Sequence, residues 1–133
     1  MKARWLALLL SATASCGSSR EAAEQHSAAQ VARAIEVVRE APNAAKAPAL
    51  ESLGKLDCRG TEVCAARDVC ATAYREHVEA VALTEAAKLK LVEGQGAEAA
   101  KLLGSAQQKL GAAKDQVAGC TDREAALRRR YKL

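Results

Sequence analysis

Five cysteines in a chain with few large core residues constrain this fold more than any other sequence feature. The 133 residues include no Phe and only 2% aromatic residues, so alanine supplies much of the 50% hydrophobic content. A core of Ala, Leu and Val buries little apolar area per residue, and a small domain of this kind is marginal unless it is cross-linked. The length allows one small domain. The cysteines are therefore candidate structural cross-links, and they stand at Cys16, Cys58, Cys64, Cys70 and Cys120.

Residues 1–15 predict a secretory signal peptide. Lys2 and Arg4 form a basic start, residues 5–10 are apolar, and residues 11–15 are small. Even together with the small residues that follow it, this apolar stretch spans only about 10 residues, much shorter than the ~20 that a membrane-spanning helix needs. No later segment is apolar and uncharged for long enough to span a bilayer, so we expect no transmembrane helix in the mature protein.

Two cleavage sites fit this signal. Residues 12–14, Ala-Thr-Ala, match the rule of ordinary signal peptidase, which would release a soluble protein that starts at Ser15. Alternatively, Thr13-Ala14-Ser15-Cys16 resembles the lipobox of bacterial lipoproteins, with Thr13 in place of the usual Leu. The resemblance implies cleavage before Cys16 and a diacylglycerol thioether on its sulfur, which would anchor the protein to a membrane.

The residues around Cys16 and the number of cysteines favour the lipoprotein interpretation. Gly17 and the serines after it are typical of a flexible tether. Gly17 stands where an Asp in that family often signals inner-membrane retention, which favours the outer membrane. Lipidation of Cys16 leaves an even set of four cysteines in an oxidising compartment, enough for two disulfides. We predict a signal peptide over 1–15, a lipidated cysteine and tether over 16–20, and a helical domain over 21–133.

Apolar residues recur at three- and four-residue spacing along the rest of the chain, and no strand alternation is present. This pattern predicts an all-α fold, a small helical bundle built on a long antiparallel helical hairpin. We expect a first helix from residue 19 or 20 to Glu40, followed by a linker over 41–47. The apolar stripe that this helix turns inward is Ala28, Val31, Ile35 and Val38. The other predicted helices span Pro48–Leu56, Thr61–Glu93 with Thr61 as its N-cap, Ala97–Ala118, and a short last helix that the capping-box pattern Thr121–Glu124 opens.

The hairpin predicts one disulfide pairing above the others. An apex at Gln95 places Cys70 opposite Cys120, and both cysteines end apolar stripes. These stripes are Cys70, Tyr74, Val78 and Val81 on one helix and Leu103, Ala106, Leu110, Ala113, Val117 and Cys120 on the other. We therefore favour the bridges Cys70–Cys120 and Cys58–Cys64, with the swapped pairing Cys64–Cys120 and Cys58–Cys70 as the alternative. A zinc site is the other interpretation, but zinc ligands prefer shorter cysteine spacings than these.

No catalytic constellation is visible in the sequence, so we expect neither enzymatic activity nor a cofactor or metal. The two histidines, His26 and His77, are more typical of surface or core-edge residues than of ligands. Gly94-Gln95-Gly96 indicates a hairpin turn rather than a phosphate-binding loop. The basic tail Arg128–Lys132 suits the negative end of a helix dipole, and contact with anionic lipid or an acidic partner is its alternative role.

These observations predict a lipid-anchored, non-catalytic protein of the bacterial cell envelope, facing the periplasm or the cell surface, that acts through contact with a protein partner. A patch near the apex formed by Ala82, Ala86, Leu89 and Val92 could serve such contact, although we expect the first helix to cover it. The balanced charge after removal of the signal does not indicate nucleic acid. The alternative is a secreted or periplasmic helical protein that binds a small ligand or metal.

Overall fold

The computed structural model describes residues 16–133, and this part of the chain is all-α. Its four helices are α1 (Cys16–Glu40), α2 (Asn43–Lys55), α3 (Thr61–Val92) and α4 (Gly96–Tyr131). The predicted signal peptide over 1–15 lies outside the described residues. The backbone of residues 16–20, which we expected to form a tether, is already helical and belongs to α1.

Helices α3 and α4 form the predicted long antiparallel hairpin. Only residues 93–95 separate them, and Gly94 in that turn has a φ of +75°, a conformation that glycine adopts without strain. With 32 and 36 residues, the helices are about 48 and 54 Å long at 1.5 Å per residue. We call the turn end of the hairpin the apex, and the end where α3 begins and α4 finishes the base.

The hairpin interface is a seam of alanines spaced by seven residues. A seven-residue repeat keeps one row of side chains facing a partner helix, as in a coiled coil. Alanine in this row lets the two helices approach closely. The alanine seam consists of Ala66, Ala73, Ala80 and Ala87 on α3 and Ala99, Ala106 and Ala113 on α4, and Cys120 and Leu127 continue the α4 row; none is more than 4% exposed.

This seam corrects the stripe that we predicted for α4. Ala106, Ala113 and Cys120 are buried as expected, but Leu103 and Leu110 are 41% and 45% exposed. Each leucine stands four residues after a seam alanine. Because the alanines let the two helix axes come close, the leucines lie beside the contact rather than inside it.

Helices α1 and α2 cover the base of the hairpin and supply its larger core residues. The α1 stripe Ala28, Val31, Ile35 and Val38 is fully buried, as its spacing predicted. On α2, Leu53 is fully buried, and Leu50 and Leu56 pack against the same core. The core therefore sits at the base, and within residues 16–133 the apical part of the hairpin consists of two helices alone.

Helix α2 begins earlier than predicted. We expected a linker over 41–47 and a helix start at Pro48, whereas α2 begins at Asn43 and contains Pro48 in its interior. A proline inside a helix removes one backbone hydrogen bond. Contacts made by the first turns of α2, above all those of Lys46 described below, stabilise the helix despite that loss.

The predicted N-cap of α3 and the predicted start of a short last helix are also wrong. Gly60, with a φ of +93°, occupies the N-cap position of α3, so Thr61 is the first residue inside the helix. Thr121 opens no new helix, because α4 continues through it to Tyr131. The Thr121 hydroxyl donates instead to the carbonyl of Val117, at 3.0 Å, within the same helix.

Two disulfides cross-link the described chain. Cys70 is bonded to Cys120 and Cys58 to Cys64, with Cα–Cα distances of 4.7 and 5.3 Å. The first joins α3 to α4 at the basal end of the alanine seam. The second joins the loop before α3 to the first turn of that helix, so both bridges lie in the basal half.

The two bridges should differ in their contribution to stability. Loop-closure entropy assigns about 4 kcal/mol to a cross-link across 50 residues and about 2 kcal/mol to one across 6. We therefore expect the double variant Cys70→Ser/Cys120→Ser to lose more unfolding free energy in urea than Cys58→Ser/Cys64→Ser. Equal losses, or the reverse order, would contradict this account of the hairpin.

The alanine seam should not tolerate a larger side chain. Ala106→Leu places an extra isopropyl group where Ala106 is 3% exposed, and we expect it to cost about 1–3 kcal/mol of unfolding free energy. Ala112→Leu, at an exposed position of α4 nearly two turns away, is the matched control and should leave the urea midpoint nearly unchanged. Similar midpoints for both variants would show that the helices are not in close contact at Ala106.

Candidate interaction surface

The start of α1 and the end of α4 lie side by side at the base. The amide of Gln25 donates to the backbone carbonyl of Tyr131 at 3.1 Å, and the Tyr131 hydroxyl donates to Glu24 at 3.2 Å. Burial is the main cause that raises the pKa of Tyr131. Cys16 is the first residue of α1, so its backbone belongs to this end; its side chain lies outside what the structure describes.

The basic tail forms the last turn of α4 at this same end. Arg130 forms an ion pair with Glu62 of α3 at 2.6 Å, which joins the beginning of one hairpin helix to the end of the other. Arg128 forms ion pairs with Glu124 on its own helix and, at 3.5 Å, with Glu36 of α1. Much of the tail's charge is therefore already paired within the bundle.

A buried carboxylate fixes the other end of α1 against α4. Glu124 is 4% exposed and accepts hydrogen bonds from Arg39 of α1 and from Arg128. The hydrogen bond to Glu124 is the main cause that raises the pKa of Arg39. If the carboxyl end of α1 moved away, Arg39 would leave and the buried charge of Glu124 would lose one of its partners, which is costly. This contact therefore holds the carboxyl end of α1 in place.

Lys46 of α2 closes the carboxyl end of α1. Its ammonium group is buried and donates to the carbonyls of Val38 and Arg39, at 2.8 and 3.1 Å. It also lies 5.9 Å from the centre of the Tyr74 ring. The last carbonyls of a helix have no hydrogen-bond donor within the helix, and they form the negative end of its dipole. The ammonium group of Lys46 supplies both the hydrogen bonds and the positive charge.

The two histidines have different surroundings in the bundle. His26 is exposed on α1. His77 lies beside the start of α2, with its Nε2 3.4 Å from the side-chain oxygen of Asn43. Burial is the main cause that lowers the pKa of His77, and the nearby charge of Lys46 acts in the same direction. The position of His77 marks the level at which α1 and α2 stop covering the hairpin.

Beyond that level, the hairpin exposes large apolar side chains. Leu89 and Val92 are 65% and 88% exposed, so the expectation that the first helix covers the apical patch is wrong. The reason is that α1 is too short to reach the apex. It ends at Glu40, and the residue before it, Arg39, contacts Glu124 in the basal half of α4. Other exposed apolar residues of the apical half are Leu91, Leu103 and Leu110.

A shallow, mostly apolar depression that faces solvent lies between α3 and α4. Its volume is about 350 Å³, and it is lined by Asp68, Val69, Thr72, Gln116 and Gly119. The side-chain oxygen of Gln116 is buried there without a hydrogen-bond partner in the described part of the chain. His77 does not line this depression.

Residues 16–133 lack two features that would indicate other roles. In that range no helix is both long and apolar enough to cross a bilayer. In the same range, His, Cys, Asp and Glu side chains nowhere gather in a group of three or more that could hold a metal ion.

Comparison with known proteins gives no relative. No family model, curated protein or solved structure matches the chain.

Sequence reasoning missed Lys46 and Glu124, two charged residues that fix α1. The position of Glu124 could have been predicted, because it lies four residues after Cys120 and continues the three- and four-residue spacing of the stripe predicted for α4. Lys46 carried none, because the segment around it was interpreted as a linker between prolines.

Replacement of Lys46 tests the cap at the end of α1. Lys46→Met keeps most of the side-chain volume but removes both hydrogen bonds to the α1 carbonyls, and we expect a loss of about 1–3 kcal/mol in unfolding free energy. Lys55→Met on the same helix is the control, because Lys55 is 73% exposed and its ion pair should contribute less than about 1 kcal/mol. A urea midpoint for Lys46→Met equal to that of the control would contradict this role.

Proposed function

We propose that this protein is a lipid-anchored, non-catalytic component of the bacterial envelope that presents a helical module to a protein partner. The anchor is the lipid on Cys16, the outer membrane is the favoured location, and the module faces the periplasm or the cell surface. The proposal combines the lipobox-like sequence at residues 13–16 with the layout of the bundle.

The observation that carries the proposal is the separation of the two ends. Cys16 begins α1 at the base, beside the last turn of α4, whereas the exposed apolar residues of the hairpin lie toward the apex. At 1.5 Å per residue, the 32 residues of α3 hold the apex about 48 Å from the base. A lipid at Cys16 would therefore leave the apical half free to meet a partner away from the bilayer.

The disulfides support this role in an exported protein. A two-helix apical half has little core of its own, and the bridge Cys70–Cys120 joins its helices inside the covered base. Disulfides of this kind persist in oxidising compartments. The assignment of four cysteines to disulfides leaves Cys16 available for lipid.

Mass spectrometry of the mature amino terminus tests the anchor. We expect the mature protein to begin at Cys16 with lipid attached and to be recovered in the membrane fraction. Cys16→Ser should lose both the lipid and the membrane association. The double variant Cys58→Ser/Cys64→Ser is the matched control, because it removes two other sulfurs and should keep the lipid. An unmodified mature terminus at Ser15 would instead identify a secreted protein and would overturn the anchored function.

A further inference from the structure

The face of the hairpin that contacts α1 at the base continues toward the apex, where neither α1 nor α2 covers it. On α4, α1 contacts Glu124 and Tyr131, which stand four residues after the seam residues Cys120 and Leu127. The same heptad position is occupied by Val117, Leu110 and Leu103 in the three preceding heptads. Val117 is partly buried against the basal core and forms the margin of the open surface, whereas Leu110 and Leu103 are exposed. These three residues therefore extend the surface that α1 uses.

Helix α3 contributes the opposite wall of this surface. Cys70 and Tyr74 belong to the basal core. Steps of seven residues lead from Cys70 through His77 to Thr84 and Leu91, and from Tyr74 to Val81 and Lys88. The Thr84 hydroxyl donates to the carbonyl of Ala80 at 2.9 Å, so it is already satisfied within its helix. We define the apical groove by six residues: Val81, Thr84 and Leu91 on α3 and Leu103, Leu110 and Val117 on α4.

We propose that the apical groove is the docking site for an amphipathic helix of a partner protein, an inference that rests on the proposed function. The basal occupant of the same surface is itself an amphipathic helix, α1, whose buried stripe is spaced by three and four residues. The groove between Val117 and Leu103 is about 21 Å long, because 14 helical residues separate them. It therefore accommodates a helix of about four turns with apolar residues at positions i, i+3 or i+4, and i+7.

A lysine at the edge of the groove indicates the charge that the docking helix carries. Arg128 borders the covered part of this face and holds Glu36 of α1 at 3.5 Å. Lys114 stands two heptads earlier at the equivalent position, and in the described part of the chain it forms no ion pair. By the same arrangement, the docking helix carries an acidic residue that meets Lys114.

A second copy of this chain is a poorer occupant than a partner helix. In a parallel pair, the two α1 helices would meet first, and each is about 10 Å thick, so the apical grooves would stay apart. In an antiparallel pair the grooves could meet, but the two Cys16 ends would then point in opposite directions. That arrangement does not suit two molecules anchored in one membrane.

Site-specific photocrosslinking in cells that make the full chain tests the docking site. Benzoylphenylalanine is placed at Leu103, Gln107 or Leu110, on or beside the groove, and at Lys101 or Ala112, on other faces of α4. We expect an adduct with another protein at the first three positions and none at the last two. Adducts at all five positions, adducts at none, or an adduct of twice the chain's mass would each overturn the proposal.

Substitutions test the chemistry of the contact, with the adduct at Gln107 as the readout. Leu103→Ser/Leu110→Ser and, separately, Lys114→Glu should each reduce it at least tenfold. Leu89→Ser is the matched control, because Leu89 is 65% exposed but lies outside the groove, and it should leave the adduct unchanged. An undiminished adduct in the groove variants, with urea midpoints close to that of the unsubstituted chain, would refute the docking site.

The two proposals fail separately. A lipidated Cys16 with no groove adduct would leave the anchored function standing and remove the docking site. A groove adduct on a chain without lipid would do the opposite.

Discussion

The close approach of α3 and α4 along the alanine seam is the constraint on which the rest of the structure depends. Methyl groups spaced by seven residues bring the helices together but bury little apolar area, so the hairpin needs support at one end. The bridge Cys70–Cys120 and the larger side chains of α1 and α2 supply it at the base. Because the seam is narrow, the leucines beside it remain at the surface, which produces the apical groove.

The sequence predicted the architecture where apolar spacing and turn residues agreed. The stripe of α1, the glycine-containing turn and the long hairpin all follow from local signals, and the opposition of Cys70 and Cys120 follows from the hairpin. The predicted helix boundaries were wrong where tertiary contacts determine them. Helix α2 starts ahead of Pro48 because Lys46 reaches the end of α1, and α4 passes through Thr121 because its buried row continues to Leu127.

The interaction surface was harder to predict than the fold. A count of apolar residues at helical spacing assigns Leu103 and Leu110 to the interface as readily as Ala106 and Ala113. Only the distance between the helix axes separates the two sets, and that distance depends on the small residues of both helices together. The extent of α1 matters equally, since its end beside Glu124 decides which part of the surface stays open.

The position of the Cys70–Cys120 bridge has a consequence for chain cleavage. The turn over residues 93–95 is exposed and is the point farthest from the covered base. A cut there would divide the polypeptide into two pieces, one with α1 to α3 and the other with α4. The sulfur–sulfur bond would keep the pieces in a single covalent body, so nicking would become visible by electrophoresis only after a reducing agent had separated them.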